Sequence, residues 1–360
     1  MQVLFGARRT LRALMLATAI AGVMGVAGAM AAESGHLLET GSSLLYPLFN
    51  LWVPAYTKTN PNVQITTQST GSGTGIAQSV SGLAQLGASD AYLSNALMKK
   101  DPGMLNIPLA ISSQMVNYNI PGLNNVHLKL SGPVLAGIYA GKITKWNDPA
   151  IATLNPGVKL PDNTIVPVHR TDGSGDTFIF TQYLSDSTPS WAKSQSYGTT
   201  ISWPSVAGNL GAEGNPGMVN AIKQTPYSIA YIGISFKSAI DQNALGAARL
   251  KNKAGKFVLP TNETVQAAAN TDVGQTPPDE RISLIFAPGD KSYPIINYEY
   301  VMVKQKQPSE AMATDLRDFL KWAVQADGGN ARDFMVKVGF VPLPASVRKL
   351  SETQIAKISG

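Results

Sequence analysis

Hydrophobic and polar positions along the chain repeat in the order strand, loop, helix from residue 33 onward. Three such units stand out, and each begins with a short strand-like run. The runs are His36–Thr40, Val63–Thr67 and Ile165–Val168. The helix faces that follow are marked by Leu45, Leu48, Phe49, Trp52 and Tyr56, by Ile76, Val80 and Leu83, and by Phe178, Ile179, Tyr183 and Leu184. This alternation predicts an α/β fold with parallel strands.

A chain of 360 residues with 44% hydrophobic and 14% charged residues has enough apolar material for two ordinary domains. Extended segments at 116–122 and 293–301 suit crossings between them. We therefore predict a discontinuous first domain, residues 33–116 plus 298–360, a second domain of residues 117–297, and a two-crossing hinge. Residues 197–217, rich in turn-forming residues, are expected to form a long loop.

Residues 1–32 have the pattern of a cleaved export signal, with Arg8, Arg9 and Arg12 ahead of an apolar stretch and a small-residue cleavage site at 29–31. A membrane-spanning helix is the alternative, but the apolar stretch is short and a cleavage pattern follows it directly. The arginine pair leaves both the Sec and the Tat route open. Removal of the signal lowers the formal charge from +6 to +3. With no cysteine in the chain, we expect a soluble periplasmic product that is not a lipoprotein.

Three Gly/Ser/Thr loops, at 41–43, 71–75 and 169–177, each follow a strand-like run and open a predicted helix. The first backbone N–H groups of a helix have no partner inside it, and glycine lets a ligand approach them. Each loop can therefore direct amides at an anion. Three of them predict one anion held from several sides.

Side chains in and near these loops add charge and selectivity. Arg170 and Asp172 lie two residues apart, so Asp172 can hold the guanidinium while Arg170 binds an oxyanion; a surface salt bridge is the alternative. Ser174 can bind the anion or only cap a helix. Asp90 can be an ordinary turn residue, and Asp176 an acid that merely favours the helix dipole.

An ionised Asp90 facing the ligand would select between tetrahedral anions. A carboxylate only accepts hydrogen bonds, so it repels an oxyanion that carries no proton. Phosphate carries a proton near neutral pH and sulfate does not, and Asp90 therefore favours phosphate. A second acceptor at Asp176 would favour the doubly protonated monoanion, with affinity falling as pH rises.

Enzymatic motifs are scarce. The only imidazoles, His36, His127 and His169, are not at metal-ligand spacing. The segment 137–143 resembles a Walker loop but is one residue short and has Ile143 where a hydroxyl is needed. We expect no cofactor, no metal and no nucleic-acid partner. A secreted phosphatase and a binding protein for sulfate or molybdate remain the alternatives.

Six segments together resemble the periplasmic phosphate-binding proteins of high-affinity Pst ABC transporters, over essentially the whole chain after the signal. They are 40–47 (TGSSLLYP), 70–73 (TGSG), 87–90 (GASD), 141–148 (GKITKWND), 170–175 (RTDGSG) and 223–231 (KQTPYSIAY). The segments 42–52 and 174–178 are most similar to the actinobacterial branch. The resemblance implies a two-domain, type II periplasmic-binding fold that closes on dehydrated phosphate.

The resemblance also assigns roles to individual residues. It implies backbone donors at Leu45 and Tyr46, a hydroxyl and amide at Ser72, a proton acceptor at Asp90, a cationic clamp at Arg170 supported by Asp172, and a second wall of Ser174, Gly175 and Asp176. Leu45 and Asp176 depart from the Thr common at both positions. The implied function is phosphate import during starvation, by a free monomer that delivers inorganic phosphate to permease subunits and their ATPase.

Overall fold

Strands and helices alternate through most of the structure, a computed structural model that describes residues 35–360. The strands are β1 (His36–Gly41), β2 (Gln64–Ser69), β3 (Leu86–Ser89), β4 (Met104–Asn119), β5 (Lys129–Leu130), β6 (Val166–Arg170), β7 (Leu210–Ala212), β8 (Ser228–Gly233), β9 (Gly246–Ala247), β10 (Arg249–Lys251), β11 (Phe257–Val258) and β12 (Ile296–Lys304). The helices are α1 (Tyr46–Thr59), α2 (Ser72–Ser81), α3 (Asn95–Lys100), α4 (Gly132–Tyr139), α5 (Pro149–Ala152), α6 (Gly175–Ser187), α7 (Pro189–Ser194), α8 (Gly214–Gln224), α9 (Lys237–Gln242), α10 (Asn262–Asp272), α11 (Glu310–Val324), α12 (Arg332–Lys337) and α13 (Ala345–Ile355). The predicted export signal, residues 1–32, lies outside the described residues.

The main sheet has the strand order β2-β1-β3-β12-β4-β8-β6-β7, and β9 also pairs with β4. A small second sheet has the order β11-β10-β5. We call β1, β2, β3 and β12, with the helices packed on them, lobe I. Lobe II is built on β6, β7, β8 and β9. The predicted α/β alternation is present in both lobes, since β1 pairs in parallel with β2 and β3, and β6 with β7 and β8.

Strand β4 runs through both lobes without a break. Its residues Met104–Ser113 pair with β12 of lobe I, and Gln114–Asn119 pair with β8 of lobe II. The change of partner therefore lies between Ser113 and Gln114, a few residues before the extended segment at 116–122. The exact domain bounds stay a prediction.

An aromatic cluster anchors helix α1 in lobe I. Trp52 is fully buried, packs edge-on against Phe49, and donates its indole N–H to the carbonyl of Gly329 at 2.8 Å. Tyr56 and Phe319 extend the cluster toward α11. Burial of such large rings fixes the position of α1, and with it the loop that precedes the helix.

A second aromatic cluster, in lobe II, supports the end of β6. Tyr231 on β8 stacks on Phe180 of α6 with ring centroids 4.4 Å apart. Its hydroxyl accepts a hydrogen bond from the Arg170 amide at 3.0 Å and contacts the Thr177 hydroxyl at 2.8 Å. The core of lobe II thus holds both ends of the loop between β6 and α6.

Two local expectations are wrong. Leu83 does not lie on the buried face of α2, because the helix ends at Ser81 and Leu83 is 70% exposed. The segment 197–217 is not all loop, because it contains β7 and the first residues of α8.

Candidate functional site: an anion cleft between two lobes

Loops from both lobes meet at the carboxyl ends of β1, β2, β3 and β6, the edge at which open α/β sheets bind ligands. The Gly73 amide in lobe I donates to the Gly173 carbonyl in lobe II at 2.7 Å. The side-chain amide of Asn215 donates to the Ser43 hydroxyl at 3.0 Å. The structure therefore brings the three predicted loops to one buried site between the lobes.

Arg170 is the only cation in this network of described side chains, and its side chain is 2% exposed. Its Nε donates to Asp172 Oδ1 at 2.7 Å, and a second nitrogen of the same guanidinium contacts Asp172 Oδ2. Its Nη1 donates to Asp176 Oδ2 at 2.9 Å. The two-point contact with Asp172 fixes the plane of the guanidinium. Arg170 is buried and the Asp172 side chain is only 11% exposed, so the surface salt bridge considered above does not describe this pair.

Asp90 follows β3 and is buried against the other loops. Its carboxylate accepts hydrogen bonds from the Ser42 hydroxyl and, at 3.5 Å, from the Ser72 hydroxyl. Its own amide donates to Ser72 Oγ at 3.3 Å. Burial, and then the nearby charge of Asp176, raise the pKa of Asp90 to about 7. The carboxyl is therefore poised to change protonation near neutral pH.

Asp176 occupies the first turn of α6, and its side chain is turned inward and 1% exposed. Besides Arg170, its carboxylate accepts from Gln114 Nε2 at 2.9 Å and from Asn215 Nδ2 at 2.6 Å. Burial raises the pKa of Asp176, and the charge of Arg170 opposes that rise. An acid that only favoured the helix dipole would need none of these contacts.

The predicted backbone donors are partly engaged within their own loops. The Leu45 amide donates to Ser42 Oγ at 3.0 Å and the Tyr46 amide to the Ser42 carbonyl at 3.0 Å. The Ser174 amide donates to the Thr199 carbonyl at 2.8 Å, and its hydroxyl caps α6 by accepting from the Thr177 amide at 3.1 Å. For these residues, contact with a ligand requires an exchange of partners, and their roles stay predictions.

Gly175 allows the lobes to approach each other closely. A Cβ atom at this position would lie 2.6 Å from the Cβ of Asp90, a separation that real side chains do not adopt. Gly175 thus lets the first turn of α6 rest directly against the acceptor of the opposite lobe.

The sequence did not single out Ser42, Gln114 or Asn215, nor Glu299, whose buried carboxyl lies near Asp90 and accepts from the Ser112 hydroxyl. Ser42 lies in the Gly/Ser loop at 41–43, so its hydroxyl could have been predicted as a site residue from that loop. Asn215 lies in the segment read as a loop, although it begins α8. Gln114 and Glu299 lie on the buried strands β4 and β12, where the pattern suggests only core positions.

Within residues 35–360, no three His, Cys, Asp or Glu side chains are grouped so that they could hold a metal ion. In the same part of the chain, no helix has both the length and the apolar character needed to span a bilayer.

The comparisons with known proteins agree with this geometry. The model of the PBP superfamily domain matches residues 27–327. The phosphate-binding protein PstS of Methanocaldococcus jannaschii is 36% identical over 331 residues, covering 86% of this chain and 83% of that protein. The phosphate-binding protein PstS of Pasteurella multocida is 34% identical over 326 residues, covering 91% of each.

Among solved structures, a high-affinity periplasmic phosphate-binding protein, PfluDING, bound with phosphate, superimposes with a TM-score of 0.70 at 22% identity, covering 88% of this chain and 93% of that one. The fold is thus the two-domain α/β fold of periplasmic binding proteins, as predicted. With relatives above 30% identity over most of its length, the chain belongs to the PstS family of phosphate-binding proteins.

Whole-chain identity does not single out the actinobacterial relatives that the motifs favoured. PstS 3 of Mycobacterium leprae is 30% identical over 328 residues, below the values for the archaeal and Pasteurella proteins. Short motifs around a site and overall identity respond to different constraints, so the two measures need not agree.

Proposed function

We propose that this protein binds inorganic phosphate in the cleft between its lobes and delivers it to the permease of a Pst ABC transporter. The observation that carries the proposal is the buried Arg170, held at two points by Asp172 of lobe II and close enough to Asp90 of lobe I to lower the pKa of that carboxyl. A guanidinium fixed in this way presents its remaining donors to an oxyanion in one orientation. Membership of the PstS family supports the same ligand.

The phosphate site proposed here is made of Leu45, Tyr46, Ser72, Asp90, Arg170, Ser174, Gly175 and Asp176, with Asp172 as support for Arg170. Hydroxyls, amides and the guanidinium donate to phosphate oxygens, while Asp90 accepts the ligand's proton. Sulfate and molybdate are disfavoured because they have no proton to offer that carboxylate near neutral pH.

The protein acts as a binding protein and not as an enzyme, since its relatives are named as phosphate-binding proteins. The finer features are part of the proposal: a monomer when free, a periplasmic location, export by the segment at 1–32 through the Sec or Tat route, and release without a lipid anchor. The last of these is supported by the lack of cysteine in the 360 residues.

Calorimetric titration of ligand-stripped protein with phosphate and then sulfate tests the proposal. We expect tight binding of phosphate and none of sulfate at pH 8, where Asp90 is ionised. Arg170→Lys keeps the charge but loses the two-point contact, so phosphate affinity should fall by roughly 10- to 100-fold. Arg249→Lys, at an exposed position on β10, is the matched control. Equal binding of both anions, or of neither, would refute the assignment.

A further inference from the structure

Glu299 is a buried acid behind the proposed phosphate site that the binding scheme does not use. It lies on β12, is 0% exposed, and its Oε1 accepts a hydrogen bond from the Ser112 hydroxyl of β4. The next residue, Tyr300, pairs with Ser89, which directly precedes Asp90. The register of β12 against β3 therefore places the Glu299 carboxyl beside the ligand's proposed acceptor.

The Glu299 and Asp90 carboxyls lie close enough for each to shift the pKa of the other. A hydrogen bond between them requires a proton on one of the two groups, because an ionised carboxylate only accepts. Among the described residues, Oε2 of Glu299 receives no hydrogen bond from a nitrogen or a hydroxyl group, and no lysine or arginine lies within ion-pair distance. Within the described residues, Asp90 is the neighbouring group to which a protonated Glu299 can donate.

The charges around the cleft indicate which of the buried carboxyl groups keeps its proton. Asp90, Asp172, Asp176 and Glu299 would together place four negative charges around the single guanidinium of Arg170, before any anion enters. Buried like charges of this kind cannot all persist, and one group keeps its proton. Asp172 and Asp176 each pair with Arg170, and Asp90 accepts from Ser42 and Ser72, whereas among the described residues Glu299 accepts only from Ser112.

We propose that Glu299 stays protonated while the protein binds and releases phosphate, and donates that proton to Asp90, so that Asp90 remains an ionised acceptor toward the ligand. The inference rests on the phosphate site proposed above. Burial, and then the charge of Asp90, raise the pKa of Glu299 well above its usual value, in keeping with a neutral acid. The hydrogen bond from Glu299 in turn opposes the upward shift in the pKa of Asp90. Glu299 is therefore a positioning residue for selectivity.

Two neutral replacements separate this role from a merely structural one. Glu299→Gln keeps a donor of the same shape, whereas Glu299→Met fills the space without one. We expect Glu299→Gln to keep phosphate affinity and sulfate rejection at pH 8, where Asp90 is ionised. In Glu299→Met, Asp90 loses the donor, its pKa rises, and its protonated form then donates a hydrogen bond to a sulfate oxygen. Sulfate binding at pH 8 should appear, with phosphate affinity lower by roughly 10- to 100-fold.

Infrared spectroscopy tests the protonation state directly and does not depend on the ligand. The difference spectrum between ligand-free wild type and Glu299→Gln at pH 8 should contain the C=O stretch of a protonated carboxyl group. Absence of that band would overturn the proposal, as would tighter phosphate binding in Glu299→Gln, which is the expected effect of removing a negative charge.

If the wild type fails to bind phosphate, the proposed function is refuted, yet the infrared result still decides the protonation state of Glu299. If Glu299→Met folds and matches Glu299→Gln in sulfate rejection, the positioning role is refuted while the phosphate function stands.

Discussion

Asp90 has to remain an acceptor although it is buried beside a second carboxyl at Asp176. Each pKa unit of upward shift corresponds to about 1.4 kcal/mol spent against the charged form. The hydroxyls of Ser42 and Ser72 offset part of this cost by donating to the carboxylate. The protein thus maintains an unfavourable charge in the cleft, which is reasonable if that charge sets the choice of anion.

Replacing Asp90 by Asn should relax the rejection of sulfate. The side-chain amide that Asp90→Asn introduces can donate to an oxyanion, so the repulsion that excludes an unprotonated anion is lost. We expect sulfate binding to become measurable by calorimetry at pH 8 and phosphate binding to weaken. Asp162→Asn, at an exposed surface position, is the control. Unchanged discrimination in Asp90→Asn would remove Asp90 from its assigned role.

Phosphate affinity should fall as pH rises from 5 to 8 in the wild type, and Asp176→Thr should flatten that trend. Burial raises the pKa of Asp176 above its usual value, so its charge forms at a higher pH than that of an exposed aspartate, and phosphate loses a proton within this window. Asp90 ionises over the same range, and among the described side chains of the site only Arg170 offers an opposing charge. Phosphate should therefore bind more weakly at high pH. Titrations at pH 5, 6, 7 and 8 measure it, and an equal slope in Asp176→Thr would contradict the role of the second acid.

At the scale of the elements, the strand, loop and helix units around the site could be predicted from the sequence. Their hydrophobic periodicity and their glycine-containing loops are visible within short segments of the chain. Helix α1 begins at Tyr46 with Pro47 in its first turn, in agreement with the spacing of Leu48 and Trp52. Asn215 could not be found in this way, since a Gly-Asn-Pro sequence is typical of a turn and here begins α8. Nor could Glu299, whose importance depends on the long-range pairing of β12 with β3 and β4.

The first turn of α6 should tolerate no side chain at position 175 when the lobes are together. In Gly175→Ala the new Cβ would overlap Asp90, and overpacking of this kind costs about 1–3 kcal/mol. We expect phosphate affinity to fall by roughly 5- to 150-fold. Thermal unfolding of the ligand-free variant should change little, because separation of the lobes relieves the overlap.

Gly103→Ala is the matched control, since no heavy atom lies within 4 Å of a Cβ built there. Its phosphate affinity should equal that of the wild type. If Gly175→Ala also binds normally, the approach of α6 to Asp90 is not needed for tight binding.

At the scale of the whole molecule, two kinds of connection join the lobes. Strand β4 is continuous and paired on both sides, so it is a permanent link. The contacts across the cleft, such as Gly73 with Gly173 and Asn215 with Ser43, depend on the lobes being close. This combination suits a hinge, in which a ligand that contacts both lobes shifts the population toward the closed form.

Phosphate should therefore reduce the radius of gyration of the protein measured by small-angle X-ray scattering, whereas sulfate at the same concentration should not. Without a bound anion, the buried carboxyls of Asp90 and Asp176 repel each other as pH rises, so the ligand-free form should be most open at pH 8. Phosphate supplies oxygens for Arg170 and a proton for Asp90, which replaces that repulsion with attraction across the cleft. Gly175→Ala should stay expanded in phosphate concentrations that close the wild type. A wild type of constant dimensions with and without phosphate would mean that the lobes are held together by their own contacts, and that entry of the anion depends on local movement of the loops.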